Sequence, residues 1–196
     1  MKGKILAAAR RAFGEYGFHG TTMRMIAREV GIDISTLHYH WGEKKDLYEA
    51  VIIDINNDLR EKLIEVEEMI HGKPLEKRVA IGIDFMTEYL FDHPEISNLV
   101  LYRYFTKTRY EASHDFKVPE FTIDIVRSMG LNQGKEYLPQ SMASILAVMN
   151  SMHNFISGEE LFRPMIKVGK KKYKTLVKET LKYIFVAAFT QAGKNS

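Results

Sequence analysis

The sequence predicts an all-α protein, and three observations support this prediction. Apolar residues recur at helical spacing along most of the chain, no segment alternates apolar and polar residues as a strand would, and glycine or proline separates the periodic segments. With 196 residues, of which 45% are hydrophobic and 27% charged, the chain has the composition of a globular protein with a substantial core.

The composition also restricts the classes of site and the location of the protein. Cysteine is absent, which excludes disulfides, thiolate metal sites and cysteine nucleophiles. The longest apolar run, Tyr183 to Phe189, is too short for a membrane span, which needs about 20 residues. Arg10, Arg11 and Glu15 interrupt the apolar core that a signal peptide would need. We therefore expect a cytoplasmic protein without membrane contact.

Three short helices are predicted in residues 1–47, and they end at Gly17, Gly31 and Gly42. The candidate N-caps are Thr21 or Thr22 for the second helix and Asp33 or Ser35 for the third. The apolar positions are Ile5, Leu6, Ala9, Ala12, Phe13 and Tyr16 in the first helix, Met25, Ile26 and Val30 in the second, and Leu37 and Trp41 in the third.

A long fourth helix is predicted from about Glu43 to Ile70, where Gly72-Lys73-Pro74 ends it. Its apolar residues recur every three or four positions, at Leu47, Val51, Ile55, Leu59, Leu63 and Val66. Five further helices are predicted over residues 75–91, 95–109, 119–129, 138–157 and 170–191.

Two amphipathic helices joined by the tight turn Val30-Gly31-Ile32 are typical of a helix-turn-helix, whose second helix fits the major groove of DNA. The outward positions of the third helix carry groups that can contact bases and phosphates: Ile34, Ser35, Thr36, His38, Tyr39 and His40. Residues at helix starts that can hold phosphates are Thr22, Arg24, Lys44 and Lys45.

Other interpretations of this segment remain open from the residues alone. The three helices can form a subdomain of an all-α protein in which the polar residues are only a solvated face. His38 and His40 can be taken as a metal pair, but residues two apart on a helix point in different directions. We expect no metal site and no cofactor.

A spaced pattern runs through the segment as Ala8-Ala9-x-x-Ala12-Phe13-x-x-Tyr16-Gly17-Phe18-x-x-Thr21-Thr22-x-x-x-Ile26-Ala27-x-x-Val30-Gly31-Ile32, then Thr36-Leu37-His38-Tyr39-His40-Trp41-x-x-Lys44-x-x-Leu47. It resembles the N-terminal domain of the TetR family of bacterial transcriptional regulators over about a quarter of the chain. The resemblance implies a helical homodimer of nine or ten helices, with a three-helix DNA-binding head (1–47) and a larger ligand-binding and dimerising body (48–196).

Position by position, the resemblance implies a set of DNA contacts. Thr22 and Arg24 would contact phosphate at the second helix, and Lys44 would do so at the start of the fourth. The groove-facing residues would be Ile34, Ser35, Thr36 and Tyr39, with His40 on the backbone.

Three residues depart from the family pattern: His38 replaces the usual tyrosine, Trp41 a phenylalanine, and Glu43 a small capping residue. We interpret Trp41 as a core substitution. The base preference at His38 does not carry over from the family, and an imidazole whose charge changes near neutral pH is expected to add pH dependence.

The last two long helices carry more apolar surface than a lone surface helix needs: Ile145, Val148, Met149, Met152, Phe155 and Ile156, then Leu176, Thr180, Tyr183, Ile184, Ala187 and Ala188. Paired with a second copy they would form a four-helix dimer interface, as in similar regulators. The alternative is packing within one subunit.

Aromatic and methionine residues concentrate in the middle helices, where they form either core or the lining of an apolar pocket. The candidate effector residues are Phe85, Tyr89, Tyr102, Phe105, Phe121, Met149 and His153. We expect a hydrophobic or aromatic small-molecule effector.

A basic run, Lys167, Lys170, Lys171, Lys172 and Lys174, precedes the last helix. It can be a second contact to nucleic acid or membrane, but the interpretation favoured by the sequence is a solvated loop remote from the DNA-binding face.

These observations predict a one-component repressor that binds a palindromic DNA operator as a homodimer and is released by an effector. The rival hypothesis is an all-α enzyme or small-molecule carrier, but the sequence holds no paired-carboxylate, serine–histidine or metal-ligand motif and no phosphate loop. A transcriptional activator remains an alternative that the sequence does not separate from a repressor.

Overall fold

The computed structural model describes residues 1–105, 118–131 and 139–192, and ten α-helices and no strand lie within these ranges. The prediction of an all-α fold is therefore confirmed. The helices are α1 (Lys2–Gly20), α2 (Met23–Val30), α3 (Ile34–Trp41), α4 (Lys44–Ile70), α5 (Leu75–Asp92), α6 (Pro94–Phe105), α7 (Val118–Ser128), α8 (Pro139–Ser157), α9 (Glu159–Met165) and α10 (Lys170–Ala192).

The short helix α9 is the one element in the described ranges that the periodicity did not predict. It contains Pro164 and lies between Gly158 and Gly169, and these residues are ordinarily signals for a loop. The end predicted for α6 near residue 109 lies outside the described residues.

The described residues form two compact units. The first contains residues 1–59 and 93–105, and the second contains residues 60–92, 118–131 and 139–192. Helix α4 begins in the first unit and ends in the second, and six apolar positions along it, from Leu47 to Val66, are all buried as predicted.

In the first unit, helices α1, α2 and α3 pack together with the N-terminal part of α4. The most completely buried side chains include Ile5, Phe13, Ile26, Leu37 and Leu47. The ring of Tyr48 lies 5.0 Å from that of Phe13 and 5.0 Å from that of Phe18, in edge-on geometry. Tyr16, predicted on the apolar face of α1, is instead 50% exposed.

Two glycines of α1 allow α6 to approach closely within this unit. Gly17 interrupts the helix with φ 67° and ψ 177°, a conformation essentially limited to glycine. A Cβ at Gly17 would lie 2.7 Å from the ring of Tyr102, and a Cβ at Gly14 would lie 2.9 Å from Cα of Glu95. The residues of α6 therefore rest directly on the backbone of α1.

Arg10 joins α1 to two other helices of the first unit. Its Nη1 lies 3.0 Å from Asp54 and 2.5 Å from Asp58 on α4, and its Nε lies 3.0 Å from Glu95 on α6. Burial disfavours the charged guanidinium, but the hydrogen bond and charge of Asp58 and the other two carboxylates outweigh it and raise the pKa of Arg10. The side chain remains a cation at every accessible pH.

In the second unit, α5 and α10 run side by side and pair their charges along their length. Lysines at three successive turns of α10 face carboxylates at three successive turns of α5. The pairs are Lys174 with Asp92 at 3.0 Å, Lys178 with Glu88, and Lys182 with Asp84 at 2.8 Å. Lys174 therefore belongs to this ladder, although the sequence had grouped it with the basic run before α10.

No helix in the described part of the chain is long and apolar enough to cross a membrane.

We predict that Gly17→Ala lowers the free energy of unfolding by about 2–4 kcal/mol, because an alanine there adopts a glycine-only conformation and overlaps the Tyr102 ring. Urea unfolding followed by circular dichroism measures this change. Gly3→Ala is the matched control, since no atom lies within 4 Å of a Cβ at that position of the same helix. Equal stability of the two variants would contradict the prediction.

Candidate nucleic-acid interface

Helix α2 and the turn after it have the geometry of a helix-turn-helix. The Thr22 hydroxyl accepts a hydrogen bond from the backbone N–H of Met25 at 3.2 Å and so caps α2, as predicted. Gly31 adopts the left-handed conformation, with φ 75° and ψ 38°. The N–H groups of Gly31 and Ile32 donate to the carbonyls of Arg28 and Ala27, which is the Schellman arrangement. This turn fixes the direction in which α3 begins.

Helix α3 places its one fully buried residue, Leu37, on the core and turns its polar side chains outward. Tyr39 is the most exposed of these at 86%, and Ile34 is 40% exposed. Ser35 is also exposed, while Thr36, His38 and His40 are half-buried. The rings of Tyr39 and His40 lie 5.4 Å apart. The residues predicted to read DNA thus form the outward face of one short helix.

His38 has a structural contact at the end of α3. Its Nδ1 lies 2.8 Å from the carbonyl oxygen of Gly42, and because a carbonyl only accepts, Nδ1 carries the proton. Nδ1 also lies 3.9 Å from a carboxylate oxygen of Glu43. His38 therefore anchors the α3 C-terminus through one ring nitrogen, and its Nε2 is left for any contact with DNA.

Lys44 organises the corner between α1 and α2. Its ammonium group donates to the carbonyls of Phe18 at 2.9 Å and Thr21 at 3.0 Å, and lies 4.4 Å from the centre of the Phe18 ring. The buried Thr21 hydroxyl holds the same corner by contacting the carbonyl oxygens of Ala12 and Gly17 at 3.0 and 2.8 Å. An ammonium has three donors, so Lys44 has one N–H left for a phosphate.

Two exposed arginines on α2, Arg24 and Arg28, form no ion pair with any described residue. Arg24 was predicted to contact phosphate because it lies at the start of α2. Arg28 was missed, although its spacing of four residues puts it on the same face of α2. Lys2 was also missed, and its ammonium lies 5.7 Å from the ring centre of Trp41 on α3.

The candidate effector residues are distributed over several helices of both units. Tyr102 belongs to the first unit, where its ring lies against Gly17. Phe85, Tyr89, Phe121 and Met149 are half-buried in the second unit, and the side chain of Phe105 lies outside the described part of the structure. His153 on α8 is only 4% exposed.

A shallow depression of about 300 Å³ lies in the second unit between α8 and α9, lined by Asn150, Ser151, Asn154, Phe155 and Phe162. It is open to solvent and includes none of the predicted effector residues. Among the described residues no group of three or more histidine or carboxylate side chains is placed to hold a metal ion.

Comparison with known proteins identifies the N-terminal segment. Residues 5–51 match the family model described as bacterial regulatory proteins, tetR family. Over 83 residues the chain is 37% identical to the HTH-type transcriptional dual regulator CecR of Shigella flexneri. The N-terminal segment of the chain, residues 5–51, is a TetR-family segment. This TetR-family segment contains every residue that was predicted to contact DNA, from Thr22 to Lys44.

The curated relatives match only part of the chain. The CecR match covers 41% of the chain and 37% of CecR. The negative transcriptional regulator of the biofilm operon icaADBC, IcaR of Staphylococcus aureus (strain Newman), is 45% identical over 52 residues, which are 26% of the chain and 28% of IcaR. These relatives are described as transcriptional regulators and not as enzymes.

Solved structures extend the likeness of fold to nearly the whole chain. A TetR-like transcriptional regulator from Rhodococcus sp. RHA1 superposes with a TM-score of 0.66 at 18% identity, over 95% of both chains. The regulator FadR from Bacillus subtilis, in complex with stearoyl-CoA, also gives a TM-score of 0.66, at 13% identity over 95% of this chain and 98% of that one.

We predict that His153 makes the stability of the protein pH-dependent, because burial lowers the pKa of its imidazole from 6.5 to about 4. A lowered pKa in the folded state stabilises the fold fully above pH 6.5, and this stabilisation is lost as the pH falls toward 4. The free energy of unfolding should therefore fall by about 2 kcal/mol between about pH 7 and pH 5 from this group alone.

The measurement is urea unfolding at both pH values for the wild type, for His153→Leu and for His71→Leu. His71 is an exposed histidine of the turn after α4 and serves as the control. His153→Leu should lose less stability than the wild type between the two pH values. If His153→Leu loses as much stability between the two pH values as the wild type, the pH dependence comes from other groups.

Proposed function

We propose that this protein is a one-component transcriptional repressor that binds a palindromic DNA operator as a homodimer and is released by a small-molecule effector. The observation that carries the proposal is the outward face of α3, on which Tyr39 is 86% exposed. This helix follows the Schellman turn at Gly31, and both lie in the segment that matches the TetR family model. Repression is supported by the likeness to IcaR, which is named a negative regulator.

We propose a functional division into a DNA-binding head, residues 1–47, and an effector-binding and dimerising body, residues 48–196. All the proposed DNA contacts lie in the head: Thr22, Arg24, Ile34, Ser35, Thr36, His38, Tyr39, His40 and Lys44. Helix α4 starts within the head and continues into the body, so it is the covalent route by which the two can influence each other. A cytoplasmic location follows from the proposed partner, DNA.

A dimer is supported by an apolar face of α10 that no described residue covers. Tyr183 is 82% exposed and Ile184 is 47% exposed, and Ala187 and Ala188 beside them are also exposed. On α8, by contrast, Ile145, Val148, Met152 and Ile156 are buried within the chain and are not free to contact a partner. The proposed interface therefore uses α10 together with the outward stripe of α8, where Ala143, Ala147 and Asn154 are exposed.

An effector is supported by the buried polar groups of the second unit. His153 is 4% exposed and Thr87 is fully buried, and the Thr87 hydroxyl has no hydrogen-bond partner among the described residues. Buried polar groups among apolar side chains are the usual means by which a pocket orients a ligand. FadR, of similar fold, was crystallised with stearoyl-CoA, which is consistent with a hydrophobic effector here.

In the proposed mechanism, the dimer has two arrangements of its heads. In one the heads match successive major grooves, about 34 Å apart, and in the other they do not, and the effector binds the second arrangement more tightly than the first. Coupling of about 1–3 kcal/mol between the two sites would lower operator affinity roughly 5- to 150-fold.

The direct test is selection of bound sequences from a random duplex pool by the purified protein at near-physiological salt. We expect enrichment of a palindrome whose half-sites lie about one helical turn apart. Failure of the folded dimer to enrich any sequence would overturn the proposal and favour a carrier, and extraction of a bound small molecule would test that alternative. Repression is then tested by placing the operator upstream of a reporter gene.

We predict that Tyr39→Ala weakens binding to the selected operator by about 1–3 kcal/mol, because it removes one specific contact in the groove. Fluorescence anisotropy with the operator and with a scrambled duplex measures this loss. Tyr16→Ala is the control, since Tyr16 is an exposed tyrosine of α1 outside the proposed interface. Equal operator affinity of Tyr39→Ala and the wild type would show that Tyr39 of α3 does not contact the operator as proposed.

We predict that Ile184→Glu converts the dimer into monomer, because it buries a carboxylate in the proposed interface of each copy. Analytical ultracentrifugation measures the dissociation. Ile64→Glu is the matched control, since Ile64 on α4 is 51% exposed and lies outside that interface. If both variants sediment like the wild type, α10 is not the dimer interface.

A further inference from the structure

The C-terminal turn of α3 holds an imidazole beside negatively polarised groups. Nδ1 of His38 lies 2.8 Å from the carbonyl oxygen of Gly42, the residue that caps the helix. The same nitrogen lies 3.9 Å from a carboxylate oxygen of Glu43. A helix C-terminus itself carries a partial negative charge. All three features complement a positive charge on the ring.

The other charged groups at this turn come from α4 and α1. Asp46 of α4 accepts from the backbone N–H of Glu43 at 2.8 Å, and its carboxylate would lie 2.6 Å from a Cβ at Gly42. Lys2 of α1 lies 5.7 Å from the ring centre of the last residue of α3. Within the described part of the chain, no charged residue of α2 forms a hydrogen bond or ion pair with His38.

The second ring nitrogen of His38, Nε2, has no hydrogen-bond partner among the described residues. The side chain is 38% exposed. It lies four residues after Ile34 and three after Ser35, which are both exposed, so the three side chains share one face of α3. His38 thus lies beside residues that are proposed to contact DNA.

The tautomer of His38 decides what Nε2 can bind. Because the proton on Nδ1 is donated to Gly42, a neutral ring leaves Nε2 with only a lone pair. A phosphate oxygen also only accepts, so a neutral His38 cannot form a hydrogen bond with the DNA backbone. One added proton turns Nε2 into a charged donor, which forms a short, charge-assisted hydrogen bond with phosphate.

We propose that operator binding is coupled to the uptake of one solvent proton by His38 in each subunit, and that the resulting Nε2–H donates to an operator phosphate. This inference rests on the proposed function, in which α3 enters the major groove. Histidine is the side chain whose charge ordinarily changes between about pH 5 and pH 8. Operator affinity is therefore expected to depend on pH in that range.

A neutral His38 offers a different contact, in which Nε2 accepts from the exocyclic amine of cytosine or adenine. Its place on α3 favours phosphate instead. His38 is half-buried between the fully buried Leu37 and Tyr39, which is 86% exposed, so it lies at the edge of the outward face. The phosphates border the groove, so a side chain at this edge is nearer to phosphate than to a base edge. The Glu43 carboxylate also complements the cationic ring.

The test measures binding to the selected operator by fluorescence anisotropy between about pH 8 and about pH 6, the range in which histidine ordinarily titrates. Circular dichroism checks the fold at each pH. By linkage, each proton taken up raises affinity by as much as about 10-fold for each unit fall in pH, so a dimer that takes up two gains as much as about 100-fold.

Three variants separate His38 from other titrating groups. His38→Gln has no group that titrates in this range and should remove the pH dependence. His38→Tyr supplies the residue of the family pattern, whose hydroxyl donates throughout the range, and should bind phosphate without pH dependence. His19→Gln is the matched control, since His19 is an exposed histidine of α1 in the same unit, and it should keep the wild-type dependence.

Titration calorimetry of the wild type needs no variant. Measured in two buffers of different ionisation enthalpy, it counts the protons that accompany operator binding. We expect net proton uptake by the wild type and none by His38→Gln.

The outcomes are distinct. Affinity that rises as the pH falls in the wild type and His19→Gln, but not in His38→Gln, supports the proposal. Affinity that rises with pH overturns it in favour of the base contact. An affinity independent of pH, or a dependence that His38→Gln retains, also overturns it and leaves the proposed function intact. A wild-type protein that binds no duplex at any pH overturns the proposed function itself.

Discussion

One guanidinium joins three helices of the first unit that are distant in sequence. Arg10 of α1 contacts Asp54 and Asp58 of α4 and Glu95 of α6, and its side chain is only 11% exposed. Arg10 is the most buried member, whereas the side chains of Asp54 and Asp58 are 36% and 35% exposed, so solvent weakens these two ion pairs and the one to Glu95 is the more enclosed. Helix α1, against which α2 and α3 pack, is therefore held to two helices that are distant from it in sequence.

The same region connects α6 to the corner between α1 and α2 within this unit. Glu95 contacts both Arg10 and the backbone of α1 at Gly14, and Tyr102 rests on Gly17, where α1 turns. Lys44 and Thr21 hold the next corner, from which α2 begins. The close approach of α6 to the glycine backbone of α1 therefore lies next to the corner from which α2 begins.

The sequence predicted the features that depend on neighbouring residues. Helical periodicity identified the buried positions of α4, and the residues around Gly31 identified the turn between α2 and α3. Contacts between distant residues leave no such signal: nothing near Lys44 indicates that its ammonium donates to the carbonyl of Phe18, and nothing near Tyr102 indicates that its ring meets Gly17. Helix α9 was missed because tertiary packing outweighed the local effect of Pro164.

The charge ladder between α5 and α10 repeats at every turn, so it does not by itself define how the two helices are aligned. Its lysines and carboxylates each repeat every four residues, so sliding α10 by one turn, about 5.4 Å, would still align two of the three pairs. The ladder alone thus defines the register only to the nearest turn. The register is fixed by a contact that does not repeat, the Tyr173 ring against Phe91 with its hydroxyl on the carbonyl of Phe155. A single aromatic side chain therefore separates one alignment of these helices from the next.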